Sequence, residues 1–253
     1  MTTFRIGPVR RLARSRIAAI AHIHPTSVTI YLALMAYLGL VKLVITFIPA
    51  PFRSAAQAGV FAWPFIGLVT VVGLIGLCFA RKTGFPDVWD ARVTTTQRFL
   101  IPAILGVAIS LPSVVIDLLT HYTTIQAAQH GLARFNIDFP ASLLIYPGGA
   151  IIVEVIYRLL LIPVLLWLIA KVLLRNHGIG PVFWILALAT SLIEPLTQDL
   201  DLGQFGLALM IGVFLLDYTL NLTQAALFRK YGFLAAIVMR VAFYIIWHIV
   251  YMH

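Results

Sequence analysis

Apolar runs long enough to cross a bilayer recur along the whole of this 253-residue chain. A helix rises about 1.5 Å per residue and the hydrocarbon core is about 30 Å thick, so roughly 18 to 20 apolar residues in a row read as a span. Seven such runs occur, at 27–49, 61–80, 99–120, 141–174, 182–197, 205–227 and 232–252. The predicted fold is therefore all-α, a polytopic membrane bundle of about seven transmembrane helices. The composition agrees: 61% of residues are hydrophobic and only 11% are charged, against about 25% charged in a soluble domain. The fourth run is long, and a tilt or kink is expected near Pro147 or Pro163. The fifth is short, with Pro195 near its end.

The net charge of +9 would suit nucleic acid, but the placement of the charges points to a membrane and to no nucleic acid. Residues 1–26 form a basic arm with Arg5, Arg10, Arg11, Arg14 and Arg16 and no acid. No small-residue cleavage site follows a short apolar core, so the arm is not read as a signal peptide. It is either an amphipathic segment on anionic lipid or plain topogenic charge. The remaining residues, 27–253, read as a single transmembrane domain. With the N-terminus in the cytoplasm, the inside segments hold the five N-terminal arginines plus Arg81, Lys82, Arg92, Arg98, Lys171, Arg175, Arg229 and Lys230. The outside segments hold only Arg53 and Arg134. This asymmetry predicts a cytoplasmic N-terminus and an external C-terminus. The single cysteine, Cys78, can form no internal disulfide and reads as a small buried hydrophobe.

Glu154 and Arg158 lie inside the fourth apolar run, one helical turn apart and on one face. Charges this deep persist only when they pair, face a polar cavity or do chemistry. Lys42, Asp117, Glu194, Asp217, Arg240 and His248 also fall within spans. Lys42 and Asp117 lie toward span ends, where side chains snorkel, and Glu194 lies near the outer face. His248 groups with Trp247 and Tyr251 as an interfacial belt, and Phe183-Trp184 reads as an anchor at the other face. Asp217 and Arg240 flank the turn at Arg229-Lys230 and sit at matching heights, about 15–18 Å from it. The predicted centre is thus a buried polar cluster of Glu154, Arg158, Asp217 and Arg240, with formal charges summing to zero. Such a cluster serves either as ion pairs that hold the bundle together or as a mid-membrane binding or catalytic pocket.

Three segments across about 99–250 resemble the CAAX prenyl protease and bacteriocin-processing family, whose members are intramembrane metalloproteases. The family's EExxxR motif aligns with Val153-Glu154-Val155-Ile156-Tyr157-Arg158, approached through Phe139-Pro140-Ala141-Ser142 and Gly148-Gly149. Its FxxxH motif aligns with the stretch from Ala189 to Gln198, and its HxxxN motif with Arg240-Val241-Ala242-Phe243-Tyr244 after Gly232-Phe233-Leu234-Ala235-Ala236-Ile237. The resemblance implies a zinc-type centre and a hydrophobic or lipidated peptide substrate. The key positions are substituted, however. Val153 replaces the first glutamate, Gln198 and Arg240 the two histidines, and Tyr244 the asparagine. Valine binds no metal, and arginine stays protonated and repels a cation.

The expectation is a catalytically inactive member, without catalytic residues, metal or cofactor. It would act as a binding, scaffold or accessory subunit in a bacterial or archaeal plasma membrane, for a lipidated or hydrophobic peptide, a lipid or a membrane-protein partner. Arg240 would supply the cation that a metal supplies in the enzymes, directed at Glu154, Asp217 or both. An active intramembrane metalloprotease with zinc on rearranged ligands, such as Glu194, Gln198, Asp199, Asp201 and His248, is a second reading. A small transporter or channel subunit is a third.

Overall fold

A computed structural model describes residues 25–48, 52–132, 134, 136–197 and 205–252. Most of the basic arm, together with Gln198, Asp199, Asp201 and His253, lies outside the described residues. The described chain is helical, and seven of its helices are long and apolar enough to cross a membrane. They are Pro25–Ile45, Trp63–Lys82, Thr96–Thr120, Ser142–Leu173, Ile179–Leu196, Leu207–Tyr231 and Phe233–Tyr251. Each predicted span is matched within a few residues. The protein is a multi-spanning membrane helical bundle.

Helix geometry departs from the regular α form in four places among the described residues. Wider π-helical turns occupy Thr96–Leu100, Val155–Leu161, Trp167–Leu173 and Ile245–Tyr251. Pro163 has no N–H for the carbonyl of Leu159, and its ring crowds that carbonyl. The wide turn just before it relieves both problems. The irregularity expected in the fourth span takes this form, and it sets Arg158 in a widened segment directly after Glu154.

Close approach of the helices depends on small residues, as in other membrane bundles. A Cβ placed at Gly106 in the third span would lie 2.2 Å from the carbonyl oxygen of Met239 in the seventh. The sixth and seventh spans are joined by Gly232 alone, at φ +88°. Side-chain-bearing residues avoid this conformation, and the glycine N–H closes the turn on the Phe228 carbonyl at 3.0 Å.

The two ends of the bundle differ in character. At one end Arg229 donates to the Thr83 carbonyl at 3.0 Å and lies over Phe85 and Phe183. Phe183 is therefore buried core, and only Trp184 keeps the exposure of an anchor. Arg98 covers Trp89 there, and Arg92 beside Asp90 holds that carboxyl down to about 2. At the other end Arg53 and Arg134 both pair with Asp138, and Arg53 Nε also donates to the Asn136 carbonyl. These bonds fasten the connection between the third and fourth spans over the bundle.

Candidate functional site

The fourth, fifth, sixth and seventh spans meet around two arginines. Glu154 ends the α-helical part of the fourth span, and Arg158 follows in its wide turn. Both are fully buried, as is Arg240 of the seventh span. Arg240 Nε donates to Glu154 Oε1 at 2.8 Å. Its two terminal nitrogens donate in parallel to the two oxygens of Glu194, each at 2.8 Å. Nη1 also reaches the Tyr244 hydroxyl at 3.2 Å, and Nη2 reaches Gln224 Oε1 at 2.8 Å and Asn221 Oδ1 at 3.1 Å. All five N–H groups of a guanidinium thus find acceptors.

Arg158 is served differently. Its Nη2 donates to the Asn221 carbonyl at 2.9 Å, to Asn221 Oδ1, and to Gln224 Oε1 at 3.2 Å. The Glu154–Arg158 pair that the spacing predicts is present at 3.9 Å, between Oε2 and Nε. That is an ion pair rather than a hydrogen bond. Glu154 Oε2, Arg158 Nε and Nη1, Gln224 Nε2 and Ser191 Oγ are buried without hydrogen-bond partners among the described residues. Glu154 is therefore shared between two cations and gives its direct bond to the distant one, Arg240.

The predicted cluster is brought together with one change of partner. The carboxylates bonded to Arg240 are Glu154 and Glu194. Asp217 instead lines a cavity beside Arg240 and accepts from Asn221 Nδ2 through its backbone carbonyl at 2.9 Å. Glu194, near the outer face, turns toward Arg240. The short turn Ile193–Leu196 aims it inward, and a forked arginine matches a carboxylate better than water-exposed solvation at that depth. Asp117 does not snorkel. It is buried and accepts from the Thr123 N–H at 2.7 Å and the Tyr251 hydroxyl at 2.9 Å.

Asn221 and Gln224 were not singled out from sequence, although with Asp217 they form an i, i+4, i+7 stripe on the sixth span. That stripe is the signal for them; charge alone overlooks neutral amides. Val153 is half-buried beside Glu154. Gln198, aligned with a family histidine, lies outside the described residues, and Glu194, one turn earlier, supplies the fifth span's contact with Arg240.

A zinc centre of the kind the resemblance implies does not fit these residues. The guanidinium of Arg240 sits where the alignment puts a histidine, and both oxygens of Glu194 and one of Glu154 bind it. A metal ion there would face a fixed positive charge and carboxylates already engaged. Of the shallow alternative set, Gln198, Asp199 and Asp201 lie outside the described residues, and both oxygens of Glu194 bind Arg240. His248 stacks on Tyr146 with ring centroids 4.1 Å apart and an interplanar angle of 7°, and its Nδ1 lies 2.9 Å from Asn136 Oδ1. It therefore turns inward rather than into an interfacial belt.

Next to the ionic centre lies a cavity of about 440 Å³ between the third, sixth and seventh spans. Its floor is Arg240, Glu194 and Asp217, and its apolar walls include Ile116, Val213, Leu216, Leu220, Phe243 and Trp247. Toward the Asn136 end it is lined by Asp117, Thr123, Asn136 and His248. The volume and the mixture of apolar wall and few polar groups are those of a small-molecule site. No protein-family model matches the chain, and no curated protein or solved structure matches it.

Proposed function

We propose that this chain is a catalytically inactive relative of the CAAX prenyl protease and bacteriocin-processing family, acting as a membrane-embedded binding or accessory subunit for a hydrophobic or lipidated ligand. The observation that carries this reading is the saturated guanidinium of Arg240, held by Glu154 and Glu194 at the position of a family histidine. A saturated arginine neither activates water nor holds a metal. The cavity beside it retains the volume and apolar wall that a lipid chain requires.

The orientation follows from the basic end, which faces the cytoplasm, so that the Asn136 end of the cavity lies toward the outside. Labelling with a membrane-impermeant thiol reagent in intact cells checks this. In a Cys78→Ala background, Ser54→Cys should react and Asn176→Cys should not.

The functional test uses the purified protein with a farnesylated peptide and added zinc. The expected result is binding without cleavage. Cleavage that disappears in Glu154→Gln contradicts the proposal and favours the active protease.

A further inference from the structure

One ring on the cavity wall has its chemistry set from behind. His248 lines the cavity at the Asn136 end and lies flat on Tyr146. The Ile137 N–H donates to the Tyr146 hydroxyl at 3.0 Å. That hydroxyl in turn donates to Asn136 Oδ1 at 2.9 Å. The reverse amide orientation would leave the Tyr146 proton without this acceptor. Oδ1 only accepts, so the second group it meets, His248 Nδ1 at 2.9 Å, carries a ring proton.

The ring's aromatic neighbours are Tyr146, Tyr244 and Trp247, and it has no ion-pair partner among the described residues. A ring at this depth without a countercharge stays neutral. A neutral ring with its proton on Nδ1 has a lone pair on Nε2. Nε2 has no hydrogen-bond partner among the described residues and, unlike Asn136 Nδ2, keeps accessible surface. Two acids on the same lining are already supplied with donors. Both oxygens of Glu194 bind Arg240, and both oxygens of Asp117 accept from Thr123, one of them also from the Tyr251 hydroxyl.

We infer that His248 is a recognition residue of the cavity, whose Nε2 accepts a hydrogen bond from the uncharged, hydroxyl-bearing head of a single-chain amphiphile. The chain lies along Ile116, Val213, Leu216 and Leu220. Tyr146 and Asn136 act through His248 as positioning residues that fix its tautomer. This role rests on the cavity being a ligand site, and it specifies the head that the site takes.

The test uses the full chain in phosphatidylcholine nanodiscs, because that lipid's head carries no hydrogen-bond donor. The probes are radiolabelled dodecanol and its methyl ether, with binding to empty discs subtracted. Dodecanol should bind about tenfold more tightly than the ether, the equivalent of one hydrogen bond. His248→Phe, which keeps a ring against Tyr146 and removes both nitrogens, should bring dodecanol down to the ether's affinity and leave the ether unchanged. Nitrogen NMR of ring-labelled histidine adds a readout that a merely structural His248 would not move. The His248 signals are those lost in His248→Phe. They should show the proton on Nδ1, and dodecanol but not the ether should shift the Nε2 resonance. The two probes and the spectrum of the wild-type protein decide the matter even if that variant does not fold. Leu216→Trp, which fills the cavity, should remove binding of both probes. If the ether binds as tightly as dodecanol, or the ring proton is on Nε2, recognition by His248 is wrong, and loss of both probes in Leu216→Trp then shows that the ligand site stands without it. If Leu216→Trp leaves all binding unchanged, the ligand site itself is refuted.

Discussion

The ionic centre and the cavity share Arg240 and Glu194 but use their polar groups in opposite ways. In the centre, charge is spent on charge. Arg240 exhausts its donors on Glu154, Glu194, Tyr244, Asn221 and Gln224. In the cavity, Asp117, Asp217 and Asn136 line open volume. Buried charge alone therefore does not mark a functional site in this bundle. A bound ligand needs volume as well as polar groups, and the volume lies in the cavity.

The contrast breaks most visibly at Arg240. Arg240→Leu leaves Glu194 without its cation and Glu154 with Arg158 alone at 3.9 Å, and breaking a buried pair costs about 3–5 kcal/mol. Thermal unfolding in detergent should show a large loss, or no folded protein. Arg240→Lys should recover only part of it, because a point-like ammonium cannot span both carboxylates. A cavity residue behaves differently: Leu216→Trp should leave the unfolding temperature near that of the wild type while it changes binding.

Asn221 sharpens the same comparison, since its Oδ1 serves both arginines. Asn221→Leu strips acceptors from two buried cations and should cost about 1–3 kcal/mol, read from the same melts. At the rim the effect is smaller. Asn136→Ala releases Tyr146 and His248 and should cost about 1 kcal/mol. It should also weaken ligand binding, a readout that Asn221→Leu leaves to stability alone. Smallest is Arg53→Ala. Its ion pair with Asp138 is partly exposed and Arg134 holds the same carboxylate, so the loss should stay below about 1 kcal/mol.

The spans were legible because a bilayer imposes length and apolarity on each helix separately. The four charged members of the predicted cluster were legible too, since depth can be counted along a helix from the nearest turn. What the sequence concealed was pairing. Glu194 lies near the end of a short span, and only the turn at Ile193–Leu196 shows that it aims at Arg240. Asn221 and Gln224 carry no charge and so attracted no notice, although their stripe with Asp217 is regular. His248 was concealed by its aromatic neighbours, and its stacking on Tyr146 depends on how the fourth and seventh spans pack. The cavity arises from three spans at once, and no single segment encodes it.

On the proposed reading, Arg240 stands where the metalloproteases of the resembling family hold their metal. Elemental analysis by mass spectrometry on the wild-type protein, purified without chelators and in the presence of zinc, tests it most directly. Substoichiometric zinc is expected in the wild type. One zinc per chain, lost on Glu154→Gln, would contradict an ionic centre closed by Arg240.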